Sequence, residues 1–449
     1  MEFLEINQPD HLTLLNQNKL KYGEVKTSFD VIEKYFLENI PDYLFKNKNL
    51  TWLDPGAGTG NFSICVFKRL MFSLSDDFPN LENRKNHIIE HMLHIVEINP
   101  ENIKILKKIF GEKANIYYGD FLTFQKNVDI IIGNPPYNSE GMKKVPTNLL
   151  SNKKNDGKTI WTYFVKHSLN LLKENGFLQM IVPAIWMKPD KANMYYLITQ
   201  YKIHLLQCFS NTETNKMFNG QAQTPTSIFL LQKKPTDKII PILSENTIHN
   251  YCLKKDYPIP MMGVSVINKL IKYTDVVGCI EVIKTNLPGK HVEVFEKRKS
   301  QYNHVNVTTC VLNRNKPEII YNYSHKPCPY YGKPKLIMAH GMYGFPIVDK
   351  EGKYGISNRD KYIIIDKTDE ELELLRNFLS TKLALFLFEC TKYRMKYLEK
   401  YIFEFIPDVT KIKNFPREIT NQIIYKYFNL NDDEIEHINS LHKKSYVVT

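Results

Sequence analysis

Leu53-Asp54-Pro55-Gly56-Ala57-Gly58-Thr59-Gly60-Asn61-Phe62 closes the apolar run Thr51–Leu53 and opens a helical segment. Alternate glycines between a strand and a helix let the backbone turn through positive φ and lie close to a ligand. They stand where an α/β sheet places nucleotide-like molecules, at a strand's carboxyl end. No Gly-Lys-Ser/Thr follows, which excludes a phosphate-cradling P-loop. A dinucleotide fingerprint needs G-x-G-x-x-G, whereas this turn is G-x-G-x-G led by an acid. Taken alone, it reads as well as a tight structural turn.

Outward from that turn, short apolar runs recur at Met92–Val96, Asn115–Tyr118, Val128–Ile132, Phe177–Val182 and Ser227–Leu231. Amphipathic stretches of helix length, Glu101–Phe110 and Trp161–Leu172, lie between them, and Ser28–Asn39 has helical spacing ahead of the first strand. Strand–helix alternation of this kind predicts an α/β domain with a Rossmann-like, mostly parallel sheet. Past Lys233 prolines break the chain and the alternation stops, so the boundary is placed near Lys234–Ile242, giving domains 1–237 and 238–449. The second domain reads as mixed α+β, with a long helix at Glu370–Glu389, a Tyr/Phe-rich helix to Phe405 and a charged helical tail.

Composition narrows the function. The 449 residues suit two or three domains, and Lys+Arg 60 against Asp+Glu 48 leaves a charge of +12. From Lys284 to Lys361 there are 14 Lys+Arg against 6 Asp+Glu, with tyrosines interleaved, which suits a polyanionic partner. No apolar run approaches the roughly 18 residues of a membrane span. The opening MEFLEINQPD lacks the pattern of a secretory signal. Seven cysteines without a CxxC pair fit a reducing compartment, and 13 histidines without ligand spacing support no metal site. A cytoplasmic, monomeric protein is expected.

Three further motifs carry chemistry. Glu97, in Ile95-Val96-Glu97-Ile98-Asn99-Pro100, closes the second strand where an acid can accept from both hydroxyls of a ribose. Asp120, in Tyr117-Tyr118-Gly119-Asp120-Phe121, stands past the third strand within reach of an adenine amino group. Singly, each acid reads equally as a solvated loop residue or a helix cap. The deciding motif is Ile130-Ile131-Ile132-Gly133-Asn134-Pro135-Pro136-Tyr137. Two prolines fix the backbone and remove two donors, which frees the carbonyls around them to accept. The Asn134 amide oxygen and the Pro135 carbonyl can then each take one N–H of an exocyclic amine. That localises a lone pair otherwise delocalised into a ring and aims it at an electrophilic methyl group. Tyr137 would stack on a base taken out of its helix.

With these motifs the chain resembles the S-adenosylmethionine-dependent amino-methyltransferases, specifically the gamma-class DNA adenine methyltransferases of restriction–modification systems. Gly23-Glu24-Val25-Lys26-Thr27-Ser28 is similar to that family's N-terminal motif, although Thr-Ser stands where Thr-Pro is usual. The resemblance implies S-adenosylmethionine as cofactor, a seven-stranded sheet and a C-terminal target-recognition domain. It places Thr27, Asp54, Pro55, Gly56, Ala57, Gly58 and Gly60 at the methionine part of the cofactor. Glu97 goes to the ribose and Asp120 to the adenine, Ile98 and Phe121 are further cofactor contacts, and Asn134 belongs to both cofactor and target. Asn134, Pro135, Pro136 and Tyr137 are the implied catalytic residues. Phe218, in Lys216-Met217-Phe218-Asn219-Gly220, is implied as a second aromatic at the target base, with plain core filler as its competing reading. Double-stranded DNA is the implied partner, contacted by Lys297, Arg298, Lys299, Arg314 and Arg359, and a separate cognate endonuclease is the implied counterpart. Methylation of RNA or of a protein glutamine, and a non-catalytic DNA-binding subunit, are the rival readings.

Two features test the register. About forty residues separate Asp54 from Glu97, where around twenty are usual, so Ser73–His91 reads as an insertion. Pro327-Cys328 looks like the nucleophile of cytosine C5 methyltransferases, but it lies in the basic domain far from the other motifs and reads as an ordinary thiol.

Overall fold

The computed structural model describes residues 22–139, 158–244, 246–286, 292–313, 316–339, 341, 345–359, 361–394 and 398–441. The chain divides into two compact units, Met1–Lys254 and Lys255–Thr449.

Among the described residues of the first unit, nine strands make one mixed sheet. They are β1 (Trp52–Asp54), β2 (Leu93–Glu97), β3 (Asn115–Tyr118), β4 (Val128–Gly133), β5 (Leu172–Pro183), β6 (Tyr201–Phe209), β7 (Thr226–Pro235), β8 (Ile239–Ser244) and β9 (Thr247–Cys252). Their order is β3-β2-β1-β4-β5-β7-β6-β8-β9. The first five are parallel neighbours, and β7 runs antiparallel to both β5 and β6. The chain moves outward from β1 through β2 to β3, then returns to place β4 on the other side of β1. The carboxyl ends of β1 and β4 therefore flank a topological switch point, where a sheet of this kind opens a ligand crevice.

The sheet differs from the sequence reading in two ways. It has nine strands rather than seven, because the hairpin β8–β9 pairs onto β6 and carries the first unit past the expected boundary at 237. And β6 has no clean apolar run: Lys202, His204 and Gln207 interrupt it. Its pairing with β7 compensates, with irregular steps at Tyr201/Lys202 and Ile203/Leu205.

The helices near the crevice follow local rules. The helix Asn61–Ser73 buries Phe62, Ile64, Cys65, Val66 and Leu70. The helix Pro100–Phe110 starts at Asn99, whose side chain accepts from the Glu101 N–H, has Pro100 in its first turn, and buries Ile103, Leu106 and Phe110. Gly60 connects the two: its φ is +93°, and a β-carbon there would stand 2.7 Å from Leu106 Cδ2, so only glycine fits. The insertion folds as a helix, Leu81–His87, and a π-turn, Ile88–Met92, leading into β2. Asp54 pairs with Ile95, which leaves Glu97 at the carboxyl end of β2.

The described residues of the second unit form two four-stranded sheets. One contains Ile283–Lys284, Tyr362–Ile364, Lys335–Met338 and Ile347–Asp349; the other contains Val294–Phe295, Lys316–Ser324, His304–Asn313 and Gly355–Ile356. Val307, Cys310, Ile337, Ile347, Ile356 and Ile363 pack between their elements. The single helix expected at Glu370–Glu389 is two, Asp369–Leu379 and Lys382–Cys390. Thr381 ends the continuity because its hydroxyl accepts from the Ala384 N–H and caps a new helix. The Tyr/Phe-rich stretch to Phe405 is a 3-10 turn, Lys400–Phe405, rather than an α-helix. The tail supplies two helices, Asn421–Tyr427 and Asp432–Leu441.

Candidate active site

The glycine turn is held to the neighbouring strand β2. The Ala57 N–H donates to the Val96 carbonyl at 3.0 Å, and the Gly58 N–H donates to Glu97 Oε2 at 2.6 Å. The Asn99 N–H donates to Glu97 Oε1 at 2.6 Å, so each oxygen of this carboxyl already accepts one backbone bond. Glu97 is buried, and that burial pushes its pKa up to about 7, with Glu24 and Asp54 adding to the effect against the two N–H bonds.

Asp54 is also buried. Ser63 Oγ donates to its Oδ2 at 2.7 Å, while Oδ1 is buried without a partner among the described residues. Desolvation pushes this carboxyl up to about 6 against its hydrogen bonds from Ser63 and Gly56. Glu24 completes the acidic wall: its Oε2 accepts from Asn102 Nδ2 at 3.1 Å, and its Oε1 lies 3.0 Å from where a Gly58 β-carbon would be. Glu24 belongs to the N-terminal motif, but nothing in its spacing along the chain gives it a role. Its proximity to Gly58 comes only from folding.

The implied adenine side has a different character. Ile98 leaves 48% of its surface exposed beside Glu97, unusual for an isoleucine at a strand end. Phe121 is buried, with its ring on Phe164 and His167, and Phe164 reaches within 3.8 Å of a β-carbon position on Gly56. Asp120 is exposed and caps the next turn by accepting from the Leu122 N–H at 2.9 Å. Phe164, from the helix Trp161–Leu171, had no sequence signal beyond helical periodicity.

Across the crevice, Asn134 follows Gly133 at the end of β4. Its Nδ2 donates to Thr27 Oγ1 at 3.2 Å, which leaves Oδ1 directed elsewhere. The Thr27 carbonyl in turn accepts from Asn61 Nδ2 at 2.7 Å. Pro135 is buried, and Pro136 and Tyr137 are half-buried. The Tyr137 hydroxyl is buried with no partner among the described residues, which drives its pKa upward. The Tyr137 carbonyl accepts from Ile160, anchoring the segment after the two prolines.

Thr27, Asp54, Gly58, Glu97 and Asn134 thus come together around one crevice. Phe218 does not join them. It is 2% exposed and packed in the core of the first unit, the surroundings that plain core filler would have.

In the second unit Lys297, Arg298 and Lys299 are exposed beside Val294–Phe295, and Lys299 Nζ stands 4.5 Å from the centre of the Phe295 ring. Arg359 is exposed; Arg314 lies outside the described residues. Two cations of the basic stretch are withdrawn from its surface. Lys335 is fully buried in a 2.6 Å ion pair with Asp349, and Lys361 is buried as well. Cys328 is buried with its Sγ on Ser324 Oγ, and burial raises its pKa, the opposite of an activated nucleophile. All seven cysteines are free. Among the described residues no group of side chains suits a metal ion, and no helix is long and apolar enough to cross a membrane.

Residues 60–218, less than half of the chain, match the family model of the Eco57I restriction-modification methylase. No curated protein sequence matches. Among solved structures, the type IIL restriction-modification enzyme MmeI in complex with DNA is 14% identical over 96% of this chain and 73% of its own, with a TM-score of 0.48. The EcoKI M protein of a type I restriction enzyme is 16% identical over 57% and 55%, with a TM-score of 0.38. A modification subunit assigned to a type I restriction enzyme of Vibrio vulnificus is 17% identical over 56% and 53%, with a TM-score of 0.37. This chain spans just over half the length of those two type I subunits.

Proposed function

We propose that this protein transfers a methyl group from S-adenosylmethionine to N6 of adenine in double-stranded DNA, as the modification activity of a restriction–modification system. The observation that carries the reading is the Asn134 amide. With Nδ2 engaged by Thr27, its Oδ1 is left to accept from an exocyclic amine beside the acid-lined glycine turn. The match of residues 60–218 to a restriction-modification methylase supports the same reading.

The residues present fit the cofactor. Asp54 Oδ1 is a buried acceptor without a donor among the described residues, and Glu24 and Asp54 set like charge beside the buried Glu97. A ligand carrying a cationic centre and several N–H and O–H donors answers both features. Bound there, S-adenosylmethionine supplies the electrophilic methyl group. Thr27, Asp54 and the turn Gly56–Gly60 hold its amino-acid portion, Glu97 its ribose hydroxyls, and Ile98, Asp120 and Phe121 its adenine.

Asn134 Oδ1 and the Pro135 carbonyl each accept one hydrogen of the target amine, which turns its lone pair out of the ring plane. The half-buried Tyr137 ring provides a stacking face for the extruded base. The unit from about residue 238 onward serves as the recognition domain, with Lys297, Arg298, Lys299 and Arg359 on phosphates or base edges.

Mass spectrometry of nucleosides from DNA of expressing and non-expressing cells tests the proposal. N6-methyladenine confined to the expressing cells is expected. Its absence, or methylation found only in RNA or on protein glutamine, would overturn the reading.

A further inference from the structure

One connection in the second unit is built as an arch. The strands Val294–Phe295 and His304–Asn313 do not pair with each other; both pair with Lys316–Ser324, one on each side. Residues 296–303 therefore cross over the end of that strand at Ser324, whose partners are Val294 and His304. Two inter-strand spacings make the base of the arch about 10 Å wide. Near its tip the Tyr302 N–H donates to the Lys299 carbonyl at 2.9 Å, and Lys299 and Tyr302 form an isolated bridge. There the two arms are only about 5 Å apart.

Side chains pin this arch to the sheet. The Phe295 and Tyr302 rings have centres 4.2 Å apart, and the His325 ring stands edge-on to Tyr302 at 5.9 Å. The Tyr302 hydroxyl donates to Glu293 Oε2 at 2.9 Å, and the Glu293 N–H donates to His325 Nδ1 at 3.3 Å. Lys299 belongs to the support, with its Nζ over the Phe295 ring. A loop held in this way gives up its backbone freedom on folding, so ordering it costs little when a partner arrives.

What the arch presents outward is cationic. Glu296 offsets one of three cations and leaves a net charge of +2 over residues 296–299. Lys297 and Arg298 are exposed, and their side chains make no hydrogen bond or ion pair among the described residues. Width decides what such a projection fits. The minor groove of a DNA duplex is about 6 Å wide and the major groove about 12 Å. A tip with arms about 5 Å apart, carrying side chains on both edges, is too broad for the first and enters the second. Arginine has a specific use there, because its planar fork donates to O6 and N7 of a guanine together. Lysine, a point charge on a flexible stem, suits a phosphate.

We propose that residues 296–303 are a base-reading element of the recognition domain, in which Arg298 reads a guanine in the major groove and Lys297 holds a flanking phosphate. The inference rests on the reading of the chain as a methyltransferase of double-stranded DNA and assigns one of its sequence-determining side chains. Lys299, Phe295, Tyr302 and His325 are positioning residues that hold the arch in shape.

The test uses the full chain. Sequencing that detects methyladenine in DNA from expressing cells gives the methylated motif for the unaltered protein, for Arg298→Gln and for Lys297→Ala. Arg298→Gln should relax the motif at one guanine and keep every other position. A duplex with 7-deazaguanine at that position lacks N7 and should bind the unaltered protein about tenfold more weakly, the worth of one charged hydrogen bond. The same change should cost Arg298→Gln nothing, because the contact is already gone. Lys297→Ala should keep the motif, weaken related and unrelated duplexes alike, and reduce the log–log salt slope by about 0.9.

An unchanged motif in Arg298→Gln, or a 7-deazaguanine penalty that persists in that variant, would overturn the proposal. Should Arg298→Gln fail to fold, the unaltered protein decides it: no penalty from 7-deazaguanine at any guanine of the motif would do the same. The two readings fail separately. No methyladenine from the unaltered protein would overturn the proposed function, whereas one motif shared by the unaltered protein and Arg298→Gln overturns only the role given to Arg298.

Discussion

Glu97→Gln separates stability from binding in opposite directions, because the wild-type carboxyl is buried yet accepts two short backbone bonds. Its pKa is raised from 4.5 to about 7, so the folded protein holds this proton more tightly than the unfolded chain does. The group's contribution to stability is full below the unfolded value and is lost as pH rises through about 7. Between pH of about 5.5 and about 8 that loss is roughly 2 kcal/mol. Glutamine does not titrate, so the variant should gain about that much relative to wild type over the same interval. It also carries only one accepting oxygen, so the Gly58 or the Asn99 N–H must face an NH₂. A ribose hydroxyl that donates to the carboxylate would lose a charged hydrogen bond, worth roughly 1.5–3 kcal/mol, so the dissociation constant for S-adenosylmethionine should rise tenfold or more. Urea unfolding at the two pH values and a calorimetric cofactor titration measure both effects. Parallel pH dependences for variant and wild type would show that Glu97 is not the titrating group. An unchanged dissociation constant would remove it from the cofactor site.

Other outcomes follow from the same geometry. Asn134→Ala should bind cofactor nearly as wild type while methyl transfer slows by about 2–4 kcal/mol of barrier, as for deletion of an aimed polar group; parallel losses of affinity and rate would place it in the wrong site. Phe218→Ala should destabilise the first unit by about 3–5 kcal/mol through the cavity it leaves. Residual folded protein should then keep its affinity for DNA, and a selective loss of DNA affinity would restore Phe218 to the base-binding role. Alanine at Lys297, Arg298 and Lys299 together should flatten the dependence of DNA affinity on salt by about 0.9 in log–log slope for each phosphate the three side chains neutralise. Superimposable salt titrations would show that this cluster faces solvent.

Local patterns explain why so much of the first unit was legible. The glycine turn, the β-rich apolar runs and the capped helix after Asn99 each depend on neighbours a few residues apart. Misreadings occurred where distant partners outweigh local preference. Strand β6 carries Lys202, His204 and Gln207 and is a strand because β7 and β8 pair with it. The long C-terminal helix breaks at Thr381, whose hydroxyl prefers to cap. Counting charges over Lys284–Lys361 included Lys335, which the fold buries against Asp349.

The order of the motifs and the residue types at the strand ends were determined by the sequence alone, because spacing along the chain survives any arrangement in space. So was the presence of an amide followed by two prolines at the end of an apolar strand. Which end of the Asn134 amide is free depends on folding, since its partner Thr27 lies 107 residues away. Folding also brought Glu24 to Gly58, raised the carboxyls of Asp54 and Glu97 by burial, and took the Phe218 ring into the core. Burial and hydrogen-bond direction depend on groups from several strands and helices at once, and no window along the chain contains them together.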